Sequence, residues 1–93
     1  MGRSEQGYID YVMSRMAEAH NGRIDAFYDL GLLYATGQGV EQDLVEAHKW
    51  FNLAAAGGLR SAAIDREDLA RDMSAAQIAE AQRQARQWLQ ARA

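Results

Sequence analysis

Apolar residues recur at three- and four-residue steps along nearly the whole chain, the spacing of one helix face. Over residues 4–20 the stripe is Ile9, Val12, Met13, Met16 and Ala19. Asn21-Gly22 ends it, because both residues tolerate the left-handed backbone that closes many helices. A second helix is expected over 24–36, with Phe27, Leu30, Leu33 and Tyr34 on or near one face. Gly37-Gln38-Gly39 breaks the pattern, and Asp43 then reads as an N-cap with Glu46 completing a variant of the capping box. The third helix carries Leu44, Ala47, Trp50, Phe51 and Ala54 and stops at Gly57-Gly58. A fourth, over 60–72, has Ala62, Leu69, Ala70 and Met73 as its stripe. Ser74 and Gln77 form a capping box that opens the fifth, over 75–91. That helix sets Ile78, Ala81, Ala85, Trp88 and Leu89 on one face and turns Arg83, Gln87 and Gln90 away. No alternating run argues for a strand.

Helices this short are marginal alone and need their stripes packed together, and short connections favour antiparallel neighbours. The chain therefore reads as all-α, with about five antiparallel helices. Ninety-three residues permit one small domain. The absence of cysteine excludes disulfide frameworks, thiolate zinc sites and cysteine nucleophiles. A net charge of -3 disfavours nucleic acid, which wants a basic stripe. No stretch approaches the ~20 apolar residues that cross a bilayer. The first residues lack the apolar core of a secretory signal, so a cytoplasmic location is expected.

Internal periodicity gives one more signal: Ala19, Gly22 and Ala26 recur, 36 residues on, as Ala55, Gly58 and Ala62. Between them lie Ala26, Leu30-Gly31, Tyr34, Gly37, Gly39-Val40, Asp43, Ala47, Trp50, Ala54-Ala55, Gly58 and Ala62. This stretch resembles a Sel1-like repeat, a relative of the tetratricopeptide helix pair. Gly31 would let helix 2 approach its partner, with Leu30 and Tyr34 beside it. Gly37 and Gly39 would turn the loop over Val40, and Ala47, Trp50 and Ala54 would interlock with helix 2. The preceding helix has Ser14 where the repeat has Trp. The following unit has Arg66-Glu67 for Leu-Gly and lacks the loop, as in the capping ends of bacterial Sel1 arrays.

The resemblance implies a short right-handed α-solenoid over 1–93: an N-terminal helix at 4–20, a full repeat at 26–61 and capping helices at 62–93. It implies a scaffold or adaptor that binds a protein or peptide, without chemistry. In similar folds the first helix of each pair lines the concave face, which places Asp25, Tyr28, Asp29, Leu32 and Thr36 on the binding side. The rival is a small hydrolase-type enzyme or accessory domain. Sel1-type proteins linked to cell-wall or β-lactam chemistry are cysteine-paired, and this chain has no cysteine.

Other candidates are weaker. His20 and His48 lack the spacing of a zinc site, and His48 reads as a helix-surface position, so neither metal nor cofactor is expected. Arg66 falls inside an apolar stripe, so either its stem covers that surface while the charge reaches water, or an inward acid pairs with it. Arg83, Arg86 and Arg92 make a basic outer surface on helix 5, but Ile78, Trp88 and Leu89 are better used sealing the core than entering a membrane. Tyr8 and Tyr11 lie beside the helix 1 stripe, where a homodimer would bury them.

Overall fold

The computed structural model describes residues 3–92; Met1, Gly2 and Ala93 lie outside them. Five helices follow in order: α1 (Arg3–His20), α2 (Ile24–Thr36), α3 (Leu44–Ala56), α4 (Arg60–Ala70) and α5 (Ala75–Ala91), with no strand among the described residues.

The helix ends follow local chemistry. Gly37 takes a left-handed φ of 73° and donates its N–H to the Leu33 carbonyl, closing α2. The Asp43 carboxylate accepts from the Glu46 amide at 3.1 Å. Glu46 does not complete a box: its carboxylate accepts from the Trp50 indole N–H at 3.1 Å and pairs with Lys49 at 3.0 Å. At α5 the box is complete, the Gln77 amide donating to Ser74 Oγ at 3.1 Å and the Ser74 amide to Gln77 Oε1 at 2.8 Å. α4 stops at Ala70, three residues before its stripe does, where the amides of Arg71, Asp72 and Met73 turn back three residues to Asp68, Leu69 and Ala70.

α3 is the centre of the molecule, with α2, α4 and α5 packed against it, while α1 packs on α2. Trp50 and Leu30 are its largest wholly buried side chains. Phe27 stacks on Trp50 with ring centroids 5.8 Å apart, and Trp88 meets Trp50 edge-on at 4.9 Å. A Cβ on Gly31 would fall 2.5 Å from Phe51 Cε1, so glycine is what lets α2 and α3 close.

α5 departs from the expected chain of antiparallel neighbours: it packs on α3, and α4 and α5 form no packed pair. The register explains it. Where α2 presents Phe27, Leu30, Gly31 and Tyr34, α4 presents Ala63, Arg66, Glu67 and Ala70. Those side chains are small or charged, so α4 offers α5 no apolar face. Trp88 instead reaches Trp50, Phe27 and the ring of His20 on α1, the last with centroids 5.1 Å apart.

Burial corrects the expectations at several positions. Met13 and Leu89 lie on their predicted stripes but are 66% and 52% exposed, because α1 is covered chiefly by α2 and α5 rests on the side that carries Ala81, Ala85 and Trp88. His48 is not a surface residue: it is 3% exposed. It belongs to a polar seam between α3 and α4, in which Arg66 donates to Asn52 Oδ1 at 2.5 Å. Arg66 is thus paired with an amide rather than an acid. At the equivalent positions 36 residues earlier, Val12 and Leu30 are buried and Met16 packs against the same core. The second interface is a polar counterpart of the first.

Candidate interaction surface

Positions 25, 28, 29, 32 and 36 fall on one face of α2 by helical spacing, and the structure gives each a different role. Asp25 is exposed and pairs loosely with Arg23 at 3.3 Å. Asp29 is engaged internally, its carboxylate accepting from the Tyr11 hydroxyl and from Arg15, both at 3.1 Å, so it ties α1 to α2. Tyr28 is half-buried against the Phe51 ring and donates its hydroxyl to Asp65 of α4 at 2.5 Å. That bond, then burial, holds the phenol above its ordinary pKa. Thr36 turns its hydroxyl back to the Leu32 carbonyl at 2.8 Å. Leu32 is left 40% exposed with no polar role.

The Tyr28–Asp65 bond brings a second strip alongside the first. Ser61, Ile64, Asp65 and Asp68 share one face of α4 by the same spacing, and they repeat the register of Asp25, Tyr28, Asp29 and Leu32. Ile64 is 53% exposed. The two helices thus carry exposed aliphatic groups, Leu32 and Ile64, among the carboxylates Asp25, Asp29, Asp65 and Asp68. Sequence reasoning placed the α2 strip but missed Ile64 and Asp65, although the shift of 36 that aligned the alanines also aligns Asp65 with Asp29.

Tyr8 and Tyr11 stay partly exposed on α1. Tyr8 lies where the 37–41 loop crosses, and a Cβ on Gly39 would sit 2.6 Å from its backbone oxygen. Tyr11 is held above its ordinary pKa by burial of part of its ring and by the bond to Asp29. Beside Tyr8 a cleft of about 540 Å³ is lined by Glu5, Ile9, Val40 and Glu41 among others, with no serine, lysine or histidine among the described lining residues. Among the described residues no three of His, Cys, Asp or Glu gather as a metal site would need. Burial and then the Arg66 guanidinium push His48 below its ordinary pKa, so it stands as a buried neutral ring with an unpartnered Nδ1. No described helix is long and apolar enough to cross a membrane.

Residues 24–59 match the Sel1 repeat family, a span holding α2, the loop after it and α3. That span, 36 of the 93 residues, is thus similar to a Sel1 repeat, a helical repeat of tetratricopeptide type. Repeats of this family generally mediate protein–protein interaction and are typically non-catalytic. Neither curated proteins nor solved structures gave a match to the chain.

Proposed function

We propose that this chain, similar to a Sel1 repeat over 24–59, is a protein-interaction module, a scaffold or adaptor that binds a partner along the joined faces of α2 and α4. The observation that carries the reading is the pairing of two strips in one register, with Leu32 and Ile64 left exposed on either helix. Carboxylates surround those aliphatic groups, so the fitting partner segment presents an aliphatic side chain next to Lys or Arg. Asp29 and Tyr28 serve that face as supports, since their polar atoms are already bonded within the molecule. Asp25 and Thr36 lie at its ends. The whole reads as one domain: a repeat at 26–61, an N-terminal helix at 4–20 and capping helices at 62–93, the beginning of a solenoid.

The test is affinity capture from the source organism with the wild type and with Leu32→Ser/Ile64→Ser, followed by mass spectrometry. Both changes lie at exposed positions, so circular dichroism should stay the same. A partner retained by the wild type and lost by the double variant supports the reading. An identical set of captured proteins for both sinks it.

A further inference from the structure

The helices are joined unequally. Polar ties bridge α1 to α2 through Asp29, α2 to α4 through Tyr28 and Asp65, and α3 to α4 through Arg66 and Asn52. Among the described residues, no side-chain hydrogen bond or ion pair joins α5 to another helix. Glu80, Arg83 and Gln84 bond one another within α5, and Ser74 with Gln77 closes its own first turn. Even the Trp88 indole N–H is buried without an acceptor. Apolar contact alone holds the helix, chiefly through the buried Ala81 and Ala85 and through Trp88. Such contact is non-directional.

The seat of α5 is also incompletely filled. Beside Trp88 a cleft of about 510 Å³ remains between Ile24, Phe27, Leu53, Ala56 and Leu89. α5 is a chain neighbour of α4, yet its packing is on α3, so the only thing that makes its docking intramolecular is the turn at 71–74. That turn has no glycine or proline and is closed only by three-residue backbone bonds. The apolar stripe of α4 runs on to Met73, so α4 can lengthen to that residue while Ser74 and Gln77 keep the cap on α5.

We propose that the α3 groove exchanges α5 between two copies of this chain, giving a reciprocal dimer in which Trp88 of each copy packs on Phe27 and Trp50 of the other. Exchange preserves each contact α5 makes and alters only the turn. That is the condition under which domain swapping is a low-cost route to a dimer. A polar tie between α5 and α4 would oppose it, and none is present among the described residues.

The absence of cysteine makes a direct test simple. Ala56 and Leu89 are both exposed and line the same cleft. Separately made Ala56→Cys and Leu89→Cys chains are mixed, incubated at submillimolar concentration and oxidised. Disulfide-linked heterodimers are then measured on a denaturing gel and by peptide mass. Ala56→Cys mixed with Glu67→Cys, whose thiol lies on the exposed side of α4, gives the random-collision level. Exchange predicts a 56–89 link well above that level, rising with protein concentration and unchanged by adding Tyr8→Ser/Tyr11→Ser. A 56–89 link no stronger than the control overturns the proposal, and so does one abolished by the two tyrosine changes, which would place the contact on α1. Deleting Asp72 and Met73 should block the return of α5 to its own α3 and double the mass in sedimentation equilibrium. Inserting three glycines after Met73 should restore the monomer. A deletion variant that keeps its helicity and sediments as a monomer also overturns it.

Discussion

Gly31 of α2 faces the ring of Phe51 of α3 so closely that a Cβ there would stand 2.5 Å from Cε1. Phe51 is 2% exposed and has nowhere to swing. Gly31→Leu should therefore overpack the contact and destabilise the fold by about 1–3 kcal/mol or more. Gly31→Ala should also destabilise, by less, although alanine favours a helix interior by about 0.5–1 kcal/mol over glycine. Thermal unfolding checks both. An unchanged midpoint for Gly31→Leu would mean that α2 and α3 do not close on this glycine.

Tyr28→Phe removes the hydroxyl that ties α2 to Asp65 of α4. The site is partly open to water, so the expected loss is about 0.5–1.5 kcal/mol in chemical unfolding. The same bond gives a pH signature. The folded phenol titrates above its ordinary value of 10.0, so the stability it contributes is complete below that pH and is lost as pH rises through the folded pKa. Tyr28→Phe should lack this part of the alkaline decline, and a variant that keeps all of it would show that the bond does not form in solution.

His48 predicts the opposite limb. Burial, then Arg66, keeps its folded pKa below the ordinary 6.5. The unfolded chain then binds the proton first, so stability falls as pH drops through 6.5 and levels off below the folded pKa. His48→Val, which copies Val12 at the equivalent position of α1, should flatten that segment of the profile. Denaturant midpoints at pH 7.5 and pH 5 measure it; equal slopes for wild type and variant would contradict the buried ring.

Ser74→Ala removes the hydroxyl that accepts the Gln77 amide at the start of α5, one of the two bonds of the capping box, and keeps the backbone amide that donates the other. The expected cost is about 0.5–2 kcal/mol. Because α5 has no polar tie to the body, the loss should appear first as release of Trp88 from the aromatic cluster. A red shift of tryptophan emission at denaturant concentrations too low to unfold the other helices would report it. Simultaneous loss of emission and helicity would show that α5 is bound as firmly as the rest.

The five helices, the Asp43 and Ser74 caps and the Gly31 approach could all be read from the chain. Each depends on the spacing of a few neighbouring residues or, for Gly31, on a repeat pattern with a fixed geometry. The same local reading placed Tyr28, Asp29 and Leu32 on one face of α2. It could not tell that Asp29 is taken up by Tyr11 and Arg15 while Leu32 stays open, because those partners come from another helix. His48 shows the limit most clearly: its neighbours in sequence put it on the helix surface, yet it is buried near Arg66, which bonds Asn52 across α3 and α4. α5 was legible as an amphipathic helix, but not its seat. Its place on α3 follows from what α4 lacks, since Ala63, Arg66 and Glu67 give it no apolar face, while Trp50 and Phe27 give Trp88 a larger one. Periodicity tells which side of a helix seeks cover, and packing among all five helices settles which surface supplies it.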